Sequence, residues 1–159
     1  VKKIPKWIIL VNRKIFLKKA KKIKFTKKIF LDRSSSEFNH CQIYNQRKVN
    51  QWIKKNNLSS CKPEKLTLEK QIYLFNNASI ILGAHGAAFT NIIFCKPGTK
   101  IIEIIPANHP NRKCERISKI LGLKYFRIVT KPDNTNKNFP FRIHLEKKHF
   151  KIIDKTINL

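Results

Sequence analysis

Three of the four glycines in this 159-residue chain lie between Gly83 and Gly98. An apolar run, Ile80-Ile81-Leu82, leads into Gly83-Ala84-His85-Gly86-Ala87-Ala88-Phe89-Thr90-Asn91, and a helix-like stretch from Ala87 to Phe94 leads out. Cys95-Lys96-Pro97-Gly98-Thr99 then precedes a second apolar run, Ile101 to Ile105, with one acid in it, Glu103. Small residues between a strand and a helix let a ligand touch backbone and gather free N–H groups at one point. Loops at the carboxyl ends of such strands are where open α/β sheets bind nucleotides and sugars. The pattern constrains the fold, a buried strand turning into a helix, and it marks where a site would lie.

The same alternation recurs along the chain. Lys28-Ile29-Phe30-Leu31 predicts a first strand, ending at Asp32-Arg33 and the turn-prone Ser34-Ser35-Ser36. Val49, Trp52 and Ile53 give the i, i+3, i+4 spacing of an amphipathic helix within Tyr44 to Lys55. A short strand is expected near Leu58 to Cys61. Thr67 stands as N-cap to a helix whose apolar face is Leu68, Ile72, Leu74 and Phe75, although Lys70 occupies the place of a capping-box acid. Pro97-Gly98 fits the centre of a type II turn. Lys100–Ile105 reads as a strand ending at Pro106, Arg112–Leu121 as a helix closed by Gly122, and Tyr125–Val129 as a further strand. Lys131 to Asn138 reads as a loop and Leu145–Ile157 as a terminal helix. Such alternation predicts an α/β, Rossmann-like, doubly wound and mostly parallel sheet over residues 28–159. Residues 1–27, basic and weakly patterned, read as a linker or the remnant of a preceding element.

The formal net charge of +26 allows two explanations. One is attraction to polyanions: nucleic acid, anionic lipid, or phosphorylated and acidic sugars. The other is compositional, because 28 of the 35 basic residues are Lys and they are spread along the whole chain. Binders of nucleic acid lean more on Arg and gather it into a stripe, so no specific nucleic-acid partner is expected. Cys41, Cys61, Cys95 and Cys114 form no Cys-x-x-Cys pair, which argues against a zinc ribbon or finger. Reduced structural thiols in a cytosolic protein are the default. No apolar run reaches the eighteen or so residues that span a bilayer, and the N-terminal apolar patch lacks a small-residue cleavage site. A chain that begins with Val also reads as a piece of something longer.

Several of these pieces, in order, resemble glycosyltransferase family 61. They are Ile29-Phe30-Leu31-Asp32-Arg33, Asn45, Leu66-Thr67-Leu68-Glu69-Lys70-Gln71, the Gly83–Asn91 block, Phe94 to Thr99, and Ile101-Ile102-Glu103. The resemblance implies a GT-B architecture, two Rossmann-like halves facing across a cleft, with this chain similar to the C-terminal half that holds the nucleotide-sugar donor. It implies transfer of a sugar from a nucleotide-sugar, expected to be UDP-linked, to a glycan acceptor with inversion, and without a metal. Capsule or lipopolysaccharide assembly, in the cytoplasm or at the inner face of a bacterial membrane, is the expected setting. The partners implied are an N-terminal half or a membrane surface. The alternatives are a truncated, non-catalytic fragment and a charge-driven binder of nucleic acid or anionic surfaces.

On this basis Arg33 and His85 are the candidate catalytic residues, stabilising the leaving diphosphate in place of a metal. Gly83, His85, Gly86, Ala87, Asn91 and Glu103 are the candidate donor-binding residues. Gly83 and Gly86 allow close approach of backbone to a ligand or a neighbouring helix, or simply make the turn. Asn91 either stitches the loop or reaches the donor, and Gln71 braces the loop. Glu103 needs a partner within its apolar strand, either the two hydroxyls of a ribose or a buried cation. Trp7 and Trp52 are read as packing residues. His109 and Cys114 lack the companions of a metal site, and His40, His144 and His149 carry no signal.

Overall fold

The computed structural model describes residues 5–34, 40–131 and 141–159. Five strands, β1 (Lys28–Leu31), β2 (Ser59–Cys61), β3 (Ile80–Ala84), β4 (Lys100–Pro106) and β5 (Lys124–Thr130), form one sheet in the order β2-β1-β3-β4-β5. Every neighbouring pair is parallel, so the sheet expected to be mostly parallel is wholly so among the described residues. The helices are α1 (Lys6–Phe16), α2 (Gln46–Lys55), α3 (Leu68–Asn77), α4 (Lys113–Leu121) and α5 (Lys147–Asn158). None is long and apolar enough to cross a membrane.

A parallel sheet covered on both faces needs strands that are apolar on both sides, and β3 and β4 are of this kind. Alternate side chains separate into two layers. Ile29, Leu31, Ile81 and Ile101 pack with apolar residues of α1, α3 and α4. Phe30, Leu82, Ile102 and Ile104 pack with those of α2 and α5 on the opposite face. Leu31 lies level with Gly83 in the β1–β3 pairing.

The chain runs from β1 through α2 to β2 on one side, then crosses back through α3 to β3 on the other side of β1. The loops after β1 and β3 therefore part at the carboxyl edge of the sheet and open a crevice there, the usual ligand position in such sheets.

Several expectations change in detail. Ala87–Phe94 is a 3-10 segment, not an α-helix. Part of the basic segment read as a linker or remnant forms α1, which inserts Ile9 into the core. Trp7, expected to pack, lies on the outer side of that helix and is 65% exposed. Trp52 does pack, against Phe150, with its ring N–H donating to Asp154 Oδ1 at 2.8 Å. Gly98 and Gly122 both have positive φ, 84° and 66°, as the turn and the helix C-cap require. Ser35 and Ser36 of the expected turn, and all but Lys131 of the loop expected up to Asn138, lie outside the described residues.

Candidate functional site

Three loops meet at the carboxyl edge, those after β1, β3 and β4. His85 follows β3 directly, and its backbone N–H donates to the Ile104 carbonyl at 2.8 Å, tying the loop to β4. Its Nδ1 lies 2.5 Å from Glu103 Oε1, while the Tyr125 hydroxyl donates to Glu103 Oε2, also at 2.5 Å. Glu103 is 1% exposed and His85 7%. Burial pushes the Glu103 carboxyl up, but hydrogen bonds from His85, Tyr125 and Cys114 outweigh it, and the acid ends below its ordinary range. Burial raises the Tyr125 hydroxyl and the Cys114 thiol, and the adjacent carboxylate raises them further. Glu103 is thus an ionised acceptor for three donors. The ribose pairing expected for it meets a carboxylate already engaged on both oxygens, because the β4–β5 pairing brings Tyr125 to its outer side and the glycine loop brings His85 to its inner side.

Arg33 lies just beyond β1, and its Nη2 donates to the His40 carbonyl at 3.0 Å. A Cβ on Gly86 would sit 1.7 Å from Arg33 Nη1 and 2.3 Å from its Cζ. The guanidinium fills the space that this glycine leaves. Gly86 has an extended φ of 171°, so it is required for room and not for a turn. At Gly83 the close approach is to strand β1, with a Cβ placed 2.9 Å from both Cβ and O of Leu31.

Ala87 is exposed at the start of the 3-10 segment and lines the cleft beside Gly86. Asn91 Nδ2 donates to Gln71 Oε1 at 2.7 Å, and Gln71 Nε2 donates to the Leu66 carbonyl at 3.0 Å. In this arrangement Asn91 stitches the segment to α3.

The resulting cleft has a volume of about 570 Å³ and is lined by Arg33, His40, His85, Gly86, Lys113 and Cys114 among others. Next to it a hollow of about 350 Å³ is bordered by His109, Arg112, Arg116 and Phe141. His40 and His109 belong to the site although the sequence reading passed over them. Their ring centroids are 5.1 Å apart, and His109 is 4.4 Å from His85. Burial, then the neighbouring His85 and His40, push the His109 imidazole down to about 4. His40 is lowered by burial, His85 and Arg33. A signal for both was available, since each follows the carboxyl end of a strand, as His85 does.

Among the described residues, two groups of side chains lie close enough to share an ion: His40 with Cys41 and His109, and His85 with Glu103 and Cys114. Neither set fits one well. His109 Nδ1 accepts the Asn111 backbone N–H at 3.2 Å, and burial pushes the Cys41 thiol up to about 12. In the second set His85 and Glu103 are already bonded to each other. The cleft is better suited to an anion, with Arg33 and Lys113 on its walls.

The family model described as Glycosyltransferase 61 matches residues 2–102, from the start of the chain through β1, the glycine loop and into β4. A beta-1,2-xylosyltransferase of Arabidopsis thaliana is 38% identical over 60 residues, which is 38% of this chain and 11% of that protein. A beta-1,2-xylosyltransferase of Oryza sativa subsp. japonica is 32% identical over 63 residues, 40% of this chain and 12% of the relative. A xylan glycosyltransferase of Arabidopsis thaliana is 41% identical over 46 residues, covering 28% and 9%. The matched stretches span about a tenth of these relatives' lengths. With the family's pattern running through well over half of it, and with the crevice at the β1–β3 switch, this chain belongs to glycosyltransferase family 61.

Proposed function

We propose that this chain is the donor-binding half of a glycosyltransferase of GT-B architecture, moving a pentose from a nucleoside diphosphate to a glycan hydroxyl with inversion. UDP-xylose is the donor to try first, because the relatives named above are xylosyl and xylan transferases. The observation that carries this reading is the cleft at the β1–β3 switch, where the Arg33 guanidinium, His85 and Lys113 border one space. Arg33 has the shape to engage two diphosphate oxygens, and Lys113 adds a point charge. These cations, with N–H groups at the start of the 3-10 segment, oppose the charge that develops on the leaving diphosphate without a metal. The acceptor hydroxyl is held by a further domain or chain in this reading. Capsule and lipopolysaccharide assembly draw no support from the plant relatives.

The test is calorimetric titration with UDP, UDP-xylose and UDP-glucose. Saturable binding is expected, weakened about tenfold or more by Arg33→Ala, the loss of a charge-assisted hydrogen bond. A folded chain that binds none of the three ligands would overturn the proposal.

A further inference from the structure

We propose that binding of a nucleoside diphosphate to this cleft takes up a proton, carried on His85 Nε2, and that Glu103 is the positioning residue that holds it there. The inference rests on the donor-site reading above. Glu103 accepts from His85 on one oxygen and from the Tyr125 hydroxyl on the other, so the acid is fixed on both sides. With Nδ1–H directed at the carboxylate, the second ring nitrogen is left for the cleft that His85 lines. With its Nδ1 held by the Glu103 carboxylate, the ring can take a further proton only at Nε2.

Cations and neutral rings face His85 from the neighbouring elements. Arg33 and His40 come from the segment after β1, His109 from the loop after β4, and Lys113 and the neutral Cys114 thiol from α4, while Arg127 of β5 reaches the His109 carbonyl. A diphosphate neutralises these cations and presents its own oxygens to Nε2, so occupancy and protonation reinforce each other. When the sugar C1–O bond to phosphate breaks, its electron pair remains on the phosphate oxygen, and the Nε2 proton passes to that oxygen. The new C1–O bond releases the acceptor's proton, which returns the imidazole to its starting state through solvent.

UDP would be titrated into the whole chain in two non-phosphate buffers of different ionisation enthalpy, at a pH above the ordinary imidazole range of about 6.5. The expected result is an apparent enthalpy that depends on the buffer and corresponds to uptake of close to one proton. In parallel, the ring nitrogens of a ¹⁵N-histidine-labelled chain, assigned with His85→Gln, should show His85 moving to the imidazolium position on UDP addition. The isosteric Glu103→Gln should lose most of the uptake and bind UDP about tenfold or more weakly. A merely structural role for Glu103 would leave the buffer dependence unchanged. Binding with equal enthalpies in both buffers, or protonation seen on His40 or His109 with His85 unmoved, overturns the inference while the donor site stands. Absence of UDP binding to the folded chain overturns both.

Discussion

A methyl group at position 83 would meet the backbone of β1, whereas one at position 86 would meet only the end of a long side chain. Overpacking against a fixed strand has nowhere to relax, so Gly83→Ala should destabilise the fold by about 1–3 kcal/mol. Gly86→Ala should change stability by less than about 0.5 kcal/mol, because the Arg33 guanidinium can swing aside. It should nevertheless weaken UDP binding about as much as Arg33→Ala does. Urea unfolding and calorimetry on the two variants separate these roles, and equal stability losses would show that Arg33 is as immovable as the strand. Sequence spacing shows that small residues are needed at both positions, but not which neighbour each of them admits. Glu103 is a similar case. An acid within Ile101 to Ile105 announces a partner, yet that partner is set by the β4–β5 register, which places Tyr125 and Arg127 nearby. No local pattern encodes that register.

At the scale of elements, the 3-10 segment Ala87–Phe94 depends on two others. Asn91 ties it to α3, and Arg13 of α1 donates its Nη1 to the carbonyls of Ile93 and Cys95 at the other end. Helix carboxyl ends leave such carbonyls without intrahelical donors, and a half-buried cation from α1 satisfies two at once. Arg13→Ala should therefore cost about 2 kcal/mol in urea unfolding. A change within error would show that water replaces the guanidinium and that α1 is an appendage. Strand positions, the turn at Gly98 and the cap at Gly122 were legible because their turn chemistry is local. The winding of Ala87–Phe94 was not, since its side chains suit i+3 and i+4 hydrogen bonding equally and the choice falls to packing. Helix α5 shows a different limit. Its capping box pairs Glu146 with His149, where sequence rules look for Glu or Gln at the third position.

For the molecule as a whole, buried histidines set how the fold responds to acid. His109 and His149 are 8% and 3% exposed, and both are held below the ordinary imidazole value, chiefly by burial. His149 must be neutral at Nδ1 to accept the Glu146 backbone N–H at 2.9 Å. With the folded value depressed, the unfolded chain binds more protons, so stability rises with pH between the two values and falls as pH drops through about 6.5. For His109 the loss continues to about pH 4. Each such histidine contributes a slope of up to about 1.4 kcal/mol per pH unit within its window. Protonation also adds charge to a chain already at +26, which works in the same direction. Urea midpoints at pH 7, 6 and 5 should fall in step. UDP should offset only part of the fall, because His109 borders the hollow beside the anion cleft while His149 caps α5 elsewhere. Substituting His149→Gln should remove the part that UDP leaves. A midpoint that holds steady from pH 7 to 5 would mean that both rings accept protons without leaving their places, and the neutral acceptor role of His149 Nδ1 would have to be abandoned.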